Sequence, residues 1–130
     1  MPDFSGNRVL LAEDNQLNQI LAENILTNVG LEVEIANDGT EAVEKMISAP
    51  AGYYDIILMG IQMPKMDGYE ATHQIRALED KEKANIPIVA VTANAFEEDR
   101  QLALNAGMSG HLAKPYDVPA IMKTLKELLS

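Results

Sequence analysis

The chain of 130 residues contains no cysteine, so neither a disulfide framework nor a thiolate metal site is open to it. Basic residues are scarce: ten Lys and Arg stand against 20 Asp and Glu, a formal charge of -10. A domain with that balance is repelled by nucleic acid and by anionic membrane surfaces, which argues against direct contact with either. No apolar run approaches the ~18 residues that a membrane-spanning helix needs. The opening Met1-Pro2-Asp3-Phe4-Ser5-Gly6 lacks the basic and apolar regions of a signal peptide. The expectation is a soluble, cytoplasmic module. There is also no Gly-rich phosphate loop ending in Gly-Lys-Ser/Thr, so ATP is not the expected ligand. Repeats, low-complexity tracts and linkers are missing too, and the length suits one domain that buries about two thirds of its unfolded surface. Residues 1–7 read as an N-terminal tail and 8–130 as the domain.

What the chain does contain is a cycle. Arg8 to Ala12 is an apolar strand ending in Glu13-Asp14-Asn15, where Asp14 or Asn15 caps a helix that runs to about Val29 and stops at Gly30. Leu31 to Ala36, Tyr54 to Met59, Ile88 to Thr92 and Gly110 to Ala113 are the further strands. Helices are predicted over Thr40 to Ser48, Gly68 to about Leu78, about Phe96 to Ala106, and Val118 to Leu129 after Asp117, with Glu79 to Asn85 as a polar link. Five strands alternate with five helices, and three strands are almost wholly apolar. The expected architecture is therefore α/β, a five-stranded parallel sheet covered on both faces.

In such a sheet the carboxyl ends of all strands share one edge, and residues far apart in sequence converge there. The first strand delivers Glu13 and Asp14, the third Gly60, the fourth Thr92 and the fifth Lys114-Pro115. Two adjacent carboxylates need a cation, and hard oxygen ligands suit magnesium. A hydroxyl and an ammonium facing that metal would bind the oxygens of a phosphoryl group.

With "LLAEDN", "ILMGIQMPKMDG", "PIVAVTANA" and "HLAKP" in order and spacing, the sequence resembles the receiver domains of two-component phosphorelay signalling over nearly its whole length. The opening "EDNQLNQ" is further similar to receivers of hybrid histidine kinases. The resemblance implies a doubly wound (βα)5, flavodoxin-like fold and a response regulator's place in a phosphorelay. It implies magnesium on Glu13, Asp14 and the backbone carbonyl of Gln62, with Thr92 and Lys114 on phosphoryl oxygens and a cis Lys114-Pro115 bond. The family's aspartate nucleophile falls on Gly60, and its aromatic switch residue, which works with Thr92, falls on His111, a smaller ring that titrates near neutral pH. The expected form is thus a receiver with a weakened magnesium site that cannot be phosphorylated by the usual route. Its expected partner is a histidine kinase or a histidine phosphotransfer domain.

Gly60 admits three readings: natural loss of the aspartate, a substitution made to remove it, or a glycine placed for backbone reasons. Asp55 and Asp67 read as structural, and His73 as solvent-facing. On the first helix, Asn18, Leu21, Ala22, Ile25 and Val29 are predicted to face the sheet, while Leu17, Ile20 and Asn24 share another side. That second side reads either as ordinary exposed surface or as a docking patch for a partner helix. Two other functions are open: an interaction domain with a vestigial site, and a small phosphohydrolase using Asp14. Against the latter, phosphatases of that type carry a second aspartate two residues on, where this chain has Gln16.

Overall fold

β1 (Arg8–Ala12), β2 (Glu32–Ala36), β3 (Ile56–Gly60), β4 (Ile88–Thr92) and β5 (Gly110–Ala113) pair in parallel in the order β2-β1-β3-β4-β5. The computed structural model describes residues 4–93, 97–113 and 117–129. Apart from Arg8 at the start of β1 and Thr92 at the end of β4, the central strands are apolar because both of their faces are covered. β1 sends Leu10 and Ala12 into one core cluster and Val9 and Leu11 into the other. β3 divides in the same way, Ile57 and Met59 against Ile56 and Leu58. Ala22 and Leu26 of α1 (Gln16–Asn28) and Ile121 and Leu125 of α6 (Val118–Leu129) close one face. The other is closed by α2 (Gly39–Ser48), α3 (Gly68–Arg76) and α5 (Glu97–Asn105).

Helix starts follow the capping chemistry of the sequence. Asn15, Asp38 and Asp67 each accept a hydrogen bond from the N–H three residues on, at 3.0, 2.9 and 2.8 Å. Gly30 follows α1 with φ of 99°, the left-handed conformation that costs a glycine nothing.

Three expectations need correction. The link Glu79 to Asn85 is not a plain connector, because Lys81–Ala84 forms a short helix, α4, so that there are six helices among the described residues. Its cause is Asp80, whose carboxylate accepts from the N–H groups of Glu82 and Lys83 at 3.0 and 3.3 Å. β3 starts at Ile56 and ends on Gly60, later than Tyr54 to Met59. Leu21 does not face the sheet but is 47% exposed, and Leu26 takes its place in the core. The stripe is centred between Ala22 and Val29, so Leu26 lies about 40° from Ala22 and Leu21 about 100° away on the far flank.

Two polar staples close the amino edge of the sheet. Arg76 donates through Nε to the carbonyl of Gly107 at 2.9 Å and through one terminal nitrogen to those of Ala84 and Ile86, both at 2.7 Å. Burial lowers the pKa of this guanidinium, and the three carbonyls supply its solvation. At the other staple, the Glu34 carboxylate accepts from the hydroxyls of Tyr53 and, at 2.8 Å, Tyr54, while the Arg8 guanidinium stacks 4.0 Å from the centre of the Tyr53 ring. The bond from Tyr53 holds the Glu34 pKa below its ordinary value of 4.5 against the opposing effect of burial. Stability from a depressed carboxylate is present above the unfolded pKa and lost as pH falls through the folded one. Glu34→Gln is therefore expected to flatten the fall in unfolding free energy between about pH 5 and about pH 3, measured by urea titration. An unchanged acid limb would assign that pH dependence to other carboxylates.

The N-terminal segment joins this body earlier than the sequence suggests. Phe4 is buried in the α1–α6 cluster, and its N–H donates to the Val29 carbonyl at 2.8 Å.

Candidate functional site

In the order β2-β1-β3-β4-β5 the chain steps outward from β1 to β2 and then crosses back to β3. The carboxyl ends of β1 and β3 therefore flank the crevice where parallel sheets bind ligands. Asp14 follows β1 there, Gly60 ends β3, Gln62 lies in the loop after it, and Thr92 ends β4. Asp14, Gln62 and Thr92 line one cavity of about 590 Å³. The convergence predicted from strand ends is realised for Asp14 and Thr92, and Gln62, named by the family pattern, lines the same cavity.

Glu13 stands apart. It is 1% exposed and absent from the cavity wall; one of its carboxylate oxygens accepts the Asn15 N–H at 3.0 Å, and its carbonyl accepts from the Gln19 amide at 2.6 Å. Asp14 is exposed and supplies the accessible carboxylate. All the oxygens on offer are hard donors, as magnesium requires. Among the described residues, however, no group of three or more His, Asp or Glu side chains gathers in a metal-binding arrangement. The fit is that of a sparse oxygen site.

Gly60 is buried, pairs with Val91, and does not have a positive φ. Its backbone is therefore one that any residue adopts. A Cβ placed there would lie 3.0 Å from the Ala12 carbonyl oxygen and 3.5 Å from Sδ of Met63. The approach is tight on the β1 side and ordinary on the Met63 side. Two other glycines hold the surrounding loops in place. A Cβ on Gly68 would sit 2.2 Å from the Gly60 carbonyl oxygen, and one on Gly39 2.3 Å from that of Met66. The starts of α3 and α2 can thus press directly on the β3–α3 loop. Lys65 in this loop takes φ of 67°, and its ammonium lies 3.7 Å from the buried Asp38 carboxylate.

Residues that strand-end reasoning missed complete the cavity: Ile61, Met63, Asp67, Tyr69, Asp99 and Leu102. Most come from helix starts and loops, which carry no periodic signal, and Leu102 from the middle of α5. Burial pushes the Tyr69 phenol up, with smaller contributions from the charges of Asp99 and Asp67. Asp67 also caps α3, and Asp55 accepts the Arg8 N–H at 2.8 Å, so both have the structural roles assigned to them. His111 lies half-buried on β5 in register with Ala90. Lys114 and Pro115, with the expected cis bond, lie outside the described residues.

On α1, Leu17 is 65% and Ile20 51% exposed, and with Leu21 and Asn24 they form one side at i, i+3, i+4 and i+7. No helix among the described residues is long and apolar enough to cross a membrane.

Residues 9–126 match the profile of the response regulator receiver domain. A stretch covering 83% of the chain is 43% identical to part of hybrid signal transduction histidine kinase I of Dictyostelium discoideum. Another, covering 94% of the chain, is 37% identical to part of probable histidine kinase 2 of Oryza sativa. The matched segments are 6% and 13% of those much longer proteins. Among solved structures, the receiver domain of sensor histidine kinase PA1611 of Pseudomonas aeruginosa superposes with a TM-score of 0.85 at 39% identity, over 96% of this chain and 98% of that one. That structure holds magnesium in its active site cleft. The receiver of Ssk1 from Saccharomyces cerevisiae, crystallised with the histidine phosphotransfer protein Ypd1, gives a TM-score of 0.85 at 31% identity, covering 98% and 89%.

Proposed function

The chain belongs to the response regulator receiver family, and we propose on that premise that it is a phosphorelay module whose acceptor position, Gly60, carries no nucleophile. The observation that carries this reading is the location of Gly60. It ends β3 at the crevice beside Asp14, Gln62 and Thr92, the place where this fold keeps its reactive group, and glycine has no side chain to react. A partner's phosphoryl group would meet the Thr92 hydroxyl and, by family pattern, Lys114, but no attacking carboxylate. The module binds its partner and does not catalyse.

Magnesium, where bound, supplies charge neutralisation for an approaching phosphoryl group. Asp14 and the Gln62 carbonyl would hold it, with Glu13 turning outward from its bond to Asn15. Affinity for a hard cation follows ligand charge, so the two-carboxylate site should bind magnesium more weakly than the three-carboxylate site of Gly60→Asp. Calorimetric titration of both forms checks this, and equal affinities would place the ion elsewhere.

The partner surface in this reading is Leu17, Ile20, Leu21 and Asn24 on α1, and the partner is a histidine phosphotransfer domain, as in the Ssk1–Ypd1 pair. Their burial by a partner helix stabilises a complex by a few kcal/mol at roughly 25 cal/mol per Å². Residue 60 is not part of that surface. A cognate phosphotransfer domain is therefore expected to bind this chain while no phosphoryl group moves, making the chain a competitor of phosphorylatable receivers. Leu17→Ser with Ile20→Ser should weaken the complex at least tenfold by calorimetry, on the same area scale. The melting temperature should hold, because neither residue is in the core. Unchanged binding would remove α1 from the interface.

A further inference from the structure

At the amino edge of the sheet, opposite the crevice, lies a second cavity of about 440 Å³ between the end of α2, the start of β3 and the α4–β4 turn. That volume is within the range of small-molecule sites, roughly 300–1,000 Å³. Its floor is apolar, formed by the buried Met46, Tyr54 and Ile86 with Pro50 and Pro87 beside them. Its rim carries Lys81 and Lys83, two of the ten basic residues of a strongly acidic chain. The cavity at the crevice, by contrast, has Asp14, Asp67 and Asp99 in its wall. Among the described lining residues, the crevice wall thus carries acids and no base, whereas the second wall sets two lysines against Asp55 and Glu82.

The acids of this second wall limit how much negative charge it accepts. Asp55 already accepts the Arg8 N–H at 2.8 Å, and Glu82 reaches over the Gly52 turn, its Oε1 3.5 Å from where a Gly52 Cβ would be. Lys83 spends one ammonium proton on the Ile47 carbonyl at 3.0 Å and keeps two, while Lys81 is exposed at the rim. A dianionic phosphate there would face both carboxylates. A single carboxylate would meet the lysines and place its body on the apolar floor.

We propose that this cavity is a binding site for an amphipathic monocarboxylate, an aromatic or branched aliphatic acid, separate from the phosphorelay crevice. The site does not depend on the chemistry of residue 60. The test is a titration of the full chain with 3-phenylpropionate, followed in amide nitrogen–proton correlation spectra, beside 3-phenylpropan-1-ol and phenyl phosphate. The carboxylate should give saturable shifts at Gly52, Asp55, Lys81 and Asn85 with a Kd on the order of 1 mM, which suits a ligand of this size. The alcohol, without a charge for the lysines, should bind about tenfold more weakly, and phenyl phosphate should also bind more weakly than the carboxylate. Lys81→Gln with Lys83→Gln should bring the carboxylate down to the alcohol's affinity. Ala49→Phe, which fills the wall from the end of α2, should abolish both. No saturable shift with the carboxylate, or no loss in the double lysine variant, overturns the site. An alcohol that binds equally well overturns its anion recognition, and a phosphate that binds as tightly overturns its preference for a single charge.

Discussion

Incubated with magnesium and a small phosphodonor such as acetyl phosphate, this chain is expected to keep its intact mass, while Gly60→Asp gains one phosphoryl group. The difference is all or none, because the bond to phosphorus is made by a carboxylate oxygen and Gly60 has none to offer. The new side chain has a place to go: the backbone at residue 60 is not left-handed, and Sδ of Met63 stands 3.5 Å from the added Cβ. The cost lies on the other side, where the Ala12 carbonyl oxygen at 3.0 Å must give by a few tenths of an ångström. That movement is small against the spacing of the strands, so the variant should fold and react. A phosphoryl adduct on the unaltered chain, mapped to Asp14, would establish a substitute acceptor and sink the reading of Gly60. A failure of folded Gly60→Asp to accept phosphate would leave an interaction domain with a vestigial site as the better account.

Gly68→Ala is expected to lower the unfolding free energy by about 3 kcal/mol and the melting temperature by about 10 °C. Alanine is the better helix former by up to about 1 kcal/mol, which favours the variant at the first position of α3. Against that, its Cβ would be placed 2.2 Å from the Gly60 carbonyl oxygen and 3.1 Å from the Ile61 Cα, both backbone atoms that cannot turn aside. The helix must lift off the end of β3, which strains the hydrogen bond from Gly68 N–H to the Ile61 carbonyl, 2.9 Å long. Gly110→Ala is the control, since its Cβ would meet nothing closer than a Val89 methyl at 3.8 Å. Thermal and urea unfolding of both variants decides the matter. A loss at Gly68 no larger than at Gly110 would show that α3 yields easily. Since Asp67, Tyr69 and the Gln62 loop move with α3, the Gly68 variant should also disturb the crevice.

The strands were legible because a parallel sheet buries both faces, leaving apolar runs such as Ile88 to Val91 that no helix of this length would carry. The convergence of Asp14 and Thr92 followed from the same rule, since strand ends share an edge, whereas Gln62 came from the family pattern. What escaped was set by neighbours in space. α4 spans four residues, too few for periodicity, and exists through one aspartate cap. Leu21 and Leu26 are equally apolar, and which one is buried depends on how α1 is rotated on the sheet, where it packs on β2. Tyr69 and Asp99 reach the cavity from two helices, α3 and α5, that lie far apart in the sequence.

The strand order also fixes a direction of assembly. β1 lies between β2 and β3, so the first sixty residues contain both hydrogen-bonding neighbours of the N-terminal strand, while β4 and β5 are laid down afterwards, each on the outer edge of the strand before it. A chain emerging from the ribosome N-terminus first can complete a three-stranded platform before its second half is made, and then extend it from one side. Every pairing still spans more than twenty residues, so each waits for a full crossover to close. Moving β1 to the end of the chain by circular permutation would leave the growing sheet without its central strand until synthesis was over, and would expose the apolar faces of β2 and β3 for that whole time.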